Sequence, residues 1–312
     1  MSETGRSNPI VIGLPGSETL AASLATVLEA ERGELEIRKF PDRETYLRYR
    51  ADPSGRPVVL VASLVDPDPR LLPLLFAAAT ARDLGAISVG LAVPYLAYMR
   101  QDRRFKPGEA ITSIHFARIL SRALDWLVTV DPHLHRHRSL ADIYSIPTEA
   151  VAAAPEIAGW IRANVTEPFL VGPDSESEQW VAAIANMAEA PYAILRKIRR
   201  GDRDVEISPP DPTAVRGRTP VLIDDIVSTG GTLVEATRAL VRAGSVAPIC
   251  VVTHGIFAAG SHAALLEAGA ARVVTTNAIP PETKVIALSG RIAAAIARML
   301  GGRHTGSPQV DP

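Results

Sequence analysis

Short, nearly unbroken apolar runs alternate with Ala- and Leu-rich stretches along this chain, and few folds accommodate that pattern. Val58–Ser63, Ile87–Val93 and Ile249–Thr253 leave almost no polar face for solvent. A strand of that kind is buried on both sides, as in a parallel sheet covered by helices. Further strands are expected at Ile10–Gly13, Trp126–Val130, Phe169–Gly172, Tyr192–Arg196, Val221–Asp224, Val273–Thr276 and Val285–Ala287. Helical patterns fall between them at Thr19–Glu31, Pro69–Leu84, Ser113–Leu124, Ala150–Asn164, Glu178–Ala188, Gly231–Ala243 and Ser261–Gly269. The expected class is α/β, with mostly parallel sheets flanked by helices. Ligands of such sheets gather beyond the carboxyl ends of the strands.

One strand end carries most of the chemistry. Val221-Leu222-Ile223 runs into Asp224 and Asp225, then into Ser228-Thr229-Gly230-Gly231-Thr232 and a helical pattern. Glycines let the backbone wrap an anion, and the free amides of a helix start point at it. Ser228, Thr229 and Thr232 add hydroxyl donors. Asp224 and Asp225 can accept from sugar hydroxyls or face a hydrated cation. The same pattern would also serve a plain βα turn with a serine cap. The stretch resembles the phosphoribosyl pyrophosphate (PRPP) loop of type I phosphoribosyltransferases and PRPP synthases.

The chain reads as a duplication. Pro57–Tyr95 and Pro220–Gly255 both run proline, apolar strand, loop, helix, turn and apolar strand. Only the second copy keeps the acid pair; the first has Ala62-Ser63 where the second has Asp225-Ile226. A break near Ile146–Ala154, with Pro147 and Pro155, sets an N-terminal domain at residues 1–148 and a C-terminal domain at 149–300. Residues 301–312, rich in Gly, Pro and polar side chains, are expected to be a disordered tail. With 312 residues and 47% hydrophobic content, the chain can build two cores of ordinary size. Its net charge of −1 offers no field for nucleic acid. Met1–Asn8 has no apolar core of a signal peptide, and no apolar stretch is long enough to span a bilayer. A soluble, cytoplasmic protein with no membrane partner is expected. The single cysteine, Cys250, lies in an apolar run and reads as a buried structural thiol.

Four further segments bear on function. Phe40-Pro41-Asp42-Arg43-Glu44 combines a ring able to stack on a purine with acids able to accept from an amino group, though an ordinary charged loop has the same composition. Arg100-Gln101-Asp102-Arg103-Arg104 follows a strand and offers guanidinium forks for polyphosphate, or simply a solvated basic loop. Asp131-Pro132-His133-Leu134-His135-Arg136-His137 ends another strand; without cysteines it suits one His near phosphate-bound Mg²⁺ better than closed zinc. Gly172-Pro173-Asp174 precedes a helix, where Asp174 could equally be an N-cap.

In this order, over roughly residues 9–290, the segments resemble the signature of the PRPP synthases, or ribose-phosphate diphosphokinases. Tyr95-Leu96-Ala97-Tyr98 and Phe105-Lys106-Pro107-Gly108-Glu109-Ala110-Ile111 look closest to the shorter, archaeal-like branch. The resemblance implies two phosphoribosyltransferase-like domains, an ATP side and a ribose 5-phosphate side. It assigns adenine to Phe40, Asp42 and Glu44, and the ATP polyphosphate to Arg100, Gln101 and Asp102. Ribose 5-phosphate falls to Asp224, Asp225, Ser228, Thr229, Gly230, Gly231 and Thr232. His133 and Asp174 become Mg²⁺ ligands, Asp174 also lying at the pyrophosphate loop. Lys197 and Arg199 become catalytic members of a mobile loop, Arg196–Glu206, expected to be disordered in the free enzyme. A homo-oligomer is implied by the same analogy.

Two departures stand out. The family places a glycine two positions after the counterpart of Asp174, where this chain has Glu176 within Ser175-Glu176-Ser177-Glu178. His135 replaces the usual alanine after the Asp-x-His segment. The expected activity is therefore an atypical synthase, with a paralogue for another sugar phosphate or a non-catalytic regulatory homologue as alternatives. A simple phosphoribosyltransferase would share the Asp224–Thr232 loop but would not need the Phe40 and Arg100 segments.

Overall fold

A computed structural model describes residues 8–134, 136–199, 205–208, 212–280 and 284–302; the side chains of 196–199, 205–208, 212–213 and 284–285 lie outside the description. The chain forms two compact units. One runs to Val151 and takes in the segment from Ser289; the other is Ala152–Leu288.

The first unit opens with β1 (Ile10–Gly13), α1 (Glu18–Val27) and β2 (Glu31–Gly33). The hairpin β3 (Leu35–Lys39) and β4 (Thr45–Tyr49) follows, then β5 (Pro57–Val61), α2 (Asp68–Asp83) and β6 (Ser88–Val93). Next come α3 (Thr112–Ala123), β7 (Trp126–Val130) and β8 (Thr148–Val151). The sheet order is β2-β1-β5-β6-β7-β8, with every pairing parallel. Every residue of β6 and β7 is buried, as their unbroken apolar sequences require.

The second unit repeats the scheme. It contains α4 (Ala154–Asn164), β9 (Pro168–Gly172), α5 (Glu178–Ala188), β10 (Tyr192–Ile194) and the hairpin β11 (Arg196–Arg199) with β12 (Val205–Ser208). After the short α6 (Pro212–Val215) come β13 (Thr219–Val227), α7 (Gly231–Arg242), β14 (Ile249–Gly255), α8 (Ser261–Glu267), β15 (Arg272–Thr276) and β16 (Lys284–Ile286). Its sheet order, β10-β9-β13-β14-β15-β16, matches the first position for position, again parallel throughout. Each unit also carries an antiparallel hairpin at the same point of the repeat, β3–β4 and β11–β12. Cys250 is fully buried beside Thr237, and burial raises its thiol to about 12.

Several expectations need correction. The helix expected at Thr19–Glu31 ends at Val27: Glu29 turns the chain at φ 50° into the edge strand β2. Residues 148–151 are strand, so the helix expected from Ala150 begins at Ala154, with Pro155 in its first turn. Arg196–Glu206 is not one loop, because β11 and β12 pair from Arg196↔Ser208 to Arg199↔Val205; residues 200–204 lie outside the described residues. A helix absent from the sequence reading, α9 (Ser289–Gly301), buries Ile292, Ala293, Ala295 and Ile296. It packs on α1, β7 and β8, so residues 149–300 do not form one unit. Two Arg298 nitrogens reach the Glu149 carboxylate on β8, the Nε at 3.2 and 3.3 Å. In the second unit α4 has the corresponding place, against α5 and β16. Of the tail expected at 301–312, Gly301 still belongs to α9, and residues from 303 lie outside the described residues.

Candidate active site

β13 delivers the acid pair to the carboxyl edge of the second sheet. Its continuous buried run ends at Ile223, and Asp224 and Asp225 are half-buried. The Asp225 amide donates to Asp224 Oδ1 at 3.0 Å. Burial raises the Asp224 carboxyl to about 8; the Asp225 charge adds to this, its amide opposes it, and Asp174 on the neighbouring strand end contributes further. Three carboxyl groups thus crowd together at the ends of β9 and β13, which are paired through Leu222↔Val171.

Beyond the acids the chain turns through Ser228 and exposed Thr229 to Gly230, whose φ of 76° suits glycine. Gly230 caps α7 without a side-chain bond, and Val234 makes the first helical bond to its carbonyl at 2.8 Å. The amides of Gly231, Thr232 and Leu233 therefore lie ahead of the helix's own acceptors, a place for phosphate oxygens. A neighbouring turn braces the loop: the Phe257 amide donates to Val227 at 3.1 Å and the Ala258 amide to Ser228 at 2.9 Å. Phe257 takes φ 42° to do so, costly for an aromatic residue, and nothing in its local sequence announces this.

Asp174 adopts the N-cap role open to it from sequence, accepting from the Glu176 amide at 3.2 Å. Gly172 is required just before it, since a Cβ there would lie 2.4 Å from Ser177 Oγ. Glu176 is exposed in the turn that leads into α5.

In the first unit, Phe40, Asp42 and Glu44 sit together on the exposed tip of the β3–β4 hairpin. The Glu44 amide donates to Asp42 Oδ1 at 3.1 Å, and Arg43 at φ 75° completes the turn. Phe40 meets Tyr46 edge-on at 5.8 Å, and the Arg38 guanidinium lies 4.9 Å from its ring centre. An aromatic ring presented in solvent is a suitable platform for a flat base.

The Arg100 segment belongs to the long connection between β6 and α3. Arg100 is exposed and has no ion pair among the described residues. Gln101 is tied to the start of α3 through Thr112 Oγ1 at 3.2 Å and the Ser113 amide at 3.4 Å. Asp102 is buried, and Arg136 Nη1 donates to both of its carboxylate oxygens at 2.9 and 3.0 Å. His133, half-buried, lies on the same connection as Arg136; His135 falls outside the described residues. Arg136 escaped the sequence reading because its partner lies 34 residues away, and only the pairing of β6 with β7 brings the two together. Tyr98, at φ 61° and bonded through its hydroxyl to Asp68, anchors the other end of the arginine loop.

Lys197 and Arg199 are on β11, opposite Ile207 and Val205; their side chains lie outside the description. Among the described residues no three His, Cys, Asp or Glu side chains converge to hold an ion unaided. The oxygen donors at Asp174, Asp224 and Asp225 nevertheless fit Mg²⁺, a hard cation usually held by one or two carboxylates with phosphate and water. The charge crowding that raises Asp224 is what such a cation would relieve.

Two parallel sheets of one topology, with an acid pair running into a phosphate-type helix start, define a protein of the phosphoribosyltransferase type. A family model described as phosphoribosyl transferase domain matches residues 140–286, and one described as N-terminal domain of ribose phosphate pyrophosphokinase matches residues 10–123. The ribose-phosphate pyrophosphokinase of Methanopyrus kandleri is 34% identical, over 94% of this chain and 100% of that protein. The protein of that name from Saccharolobus solfataricus is 35% identical, over 89% of this chain and 95% of its own length. The crystal structure of phosphoribosylpyrophosphate synthetase from Mycobacterium smegmatis shares the fold, with a TM-score of 0.81 at 22% identity, covering 95% of this chain and all of that one. This chain belongs to the ribose-phosphate pyrophosphokinase family. No helix among the described residues is long and apolar enough to cross a membrane.

Proposed function

We propose that the chain transfers the diphosphoryl group of ATP to O1 of ribose 5-phosphate, releasing AMP and PRPP. The acid pair directly ahead of an uncapped helix start carries this reading: it suits sugar hydroxyls and a 5-phosphate at once. Asp224 and Asp225 accept from the ribose hydroxyls, while the amides of Gly231 and Thr232 and the hydroxyls of Ser228 and Thr229 hold the phosphate. O1 attacks the β-phosphorus, a new P–O bond forms, the bond to the oxygen bridging the α- and β-phosphorus breaks, and AMP departs with that oxygen. O1 gives up its proton in the process. Such a transfer is mainly positioning and charge neutralisation.

On the other substrate, Phe40 stacks on the adenine, with Asp42 and Glu44 accepting from its amino group, and Arg100 pairs with the polyphosphate. Lys197 and Arg199 neutralise the group in flight. Mg²⁺ would supply further charge neutralisation; His133 in the first unit and Asp174 in the second are the residues that would serve as its ligands. The protein works in the cytoplasm as a homo-oligomer. Relatives of one name along essentially the whole chain leave less room for a paralogue with another sugar or a non-catalytic homologue. Incubation with Mg·ATP and a panel of sugar phosphates, followed by chromatography of AMP and the diphosphorylated product, tests the reading. Stoichiometric AMP and PRPP with ribose 5-phosphate is expected; ATP left intact, or AMP formed only with another sugar, would overturn it.

A further inference from the structure

The arginine loop and the His133 loop leave the first sheet side by side. Their strands pair at Val93↔Thr129, and the Val130 amide ties the roots together through the Pro94 carbonyl at 3.1 Å. Farther out, where each loop turns towards its functional residues, Asp102 of the first pairs with Arg136 of the second. The Asp102 side chain is 3% exposed and that of Arg136 43%. Both carboxylate oxygens take the same nitrogen at 2.9 and 3.0 Å, so the acid is spent inside the protein. A carboxylate turned towards polyphosphate would also repel it.

We infer that Asp102 does not touch ATP but acts, with Arg136, as a strut that fixes the arginine loop against the His133 loop. Asp102 is then a positioning residue, and Arg136 becomes functionally important although its guanidinium contacts neither substrate. The neighbouring bonds agree. Gln101 is fastened to α3 and Arg104 Nε to the Glu109 carbonyl at 2.9 Å. Arg103 lies 4.7 Å from the Phe105 ring centre, leaving Arg100 as the uncommitted guanidinium on a loop held on several sides.

The inference rests on the proposed activity, so the wild-type protein is assayed first; a wild type that forms no PRPP rejects that reading, not the strut. With activity in hand, Arg136→Ala is expected to raise KM for ATP about tenfold while KM for ribose 5-phosphate stays within about twofold, since misplacing a binding loop weakens one substrate only. Arg136→Lys should recover part of the loss, because it restores the charge without the guanidinium geometry. Should Arg136→Ala fold poorly, the pair Asp102→Asn with Arg136→Gln leaves no lone buried charge and should show the same ATP-selective rise. An unchanged KM for ATP in a folded variant, or equal changes for both substrates, would overturn the inference. So would a fall in active fraction alone.

Discussion

The two units share strand order, hairpin and parallel register, yet only their loops differ in chemistry. Along the end of β13 and just beyond it the chain offers two acids, exposed Thr229 and Gly231, and amides ahead of a helix. At the same point after β5 it offers Ala62, Ser63 and Leu64, all buried, with the Ser63 amide bonded to Ser17 Oγ at 3.0 Å. The first loop has closed over its own backbone donors, whereas the second has left them for a ligand. The next connection inverts the contrast. Residues 94–111 between β6 and α3 carry the arginines, while residues 256–260 between β14 and α8 are only long enough to brace the neighbouring loop. On the proposed assignment a duplicated scaffold divides the work, sugar phosphate on one copy and nucleotide on the other, by changing connections and leaving the sheets alone.

The sharpest way to break that division is at the acid pair. Asp225→Asn keeps the shape of a half-buried strand end but removes a charged acceptor. It should lower kcat/KM for ribose 5-phosphate roughly 10- to 100-fold, with KM for ATP little altered. Steady-state kinetics with each substrate varied in turn check this, and wild-type constants would remove Asp225 from the sugar site. The mirror experiment lies on the first unit. Phe40→Ala deletes an exposed ring with few packing partners, so KM for ATP should rise about 5- to 10-fold and that for ribose 5-phosphate should not. Equal changes for both substrates would mean that the hairpin tip is structural.

Much of this contrast was legible from sequence, and the illegible parts share a cause. Strands buried on both faces, such as Ile10–Gly13 and Trp126–Val130, are found where unbroken apolar runs put them. The β3–β4 hairpin was passed over because its residues alternate with Arg and Glu and remain half-exposed, so no apolar run marks it. The hairpin β11–β12 is similarly charged and read as loop. Helix α9 belongs to a sheet that began nearly three hundred residues earlier, and no local pattern says which unit a terminal helix covers. At the site, Asp224 and Asp225 declared themselves through a contiguous motif. Arg136 and Phe257 did not, since a salt bridge across 34 residues and a strained turn exist only in three dimensions.

A smaller effect is expected from pH. The Asp224 carboxyl is raised by burial and by Asp225 and Asp174, so the folded protein keeps its proton up to about pH 8 whereas the unfolded chain loses it near pH 4. Between those values the native state binds more protons, and stability from this group must fall as pH rises. Asp224→Asn should therefore gain a few degrees in Tm over the wild type at pH 8 and little at pH 4. Added Mg²⁺ should narrow the gap by stabilising the wild type. A difference in Tm independent of pH would show that the carboxylates are not electrostatically coupled.

The smallest expected effect concerns Glu176, which stands where the resemblance read from the sequence would place a glycine. The residue stands exposed in the turn before α5, its amide engaged by Asp174, close to the strand ends that already carry three acids. Any diphosphate approaching this turn meets a further negative charge, and a cation must bridge the two. Glu176→Gly should then lower the Mg²⁺ concentration for half-maximal rate about two- to threefold at fixed ATP and ribose 5-phosphate, and should tighten binding of the diphosphorylated product. The competing role for Glu176 is local: an acid in the first turn favours the positive end of the helix dipole. On that account the substitution costs at most about 1 kcal/mol of stability and leaves the Mg²⁺ titration where it was. Because the two roles act on different observables, titrating Mg²⁺ and melting the same two proteins separates them. Superimposed Mg²⁺ curves with a lowered Tm would make Glu176 a helix-start acid and leave the loop chemistry of the second unit to the acid pair and the helix amides.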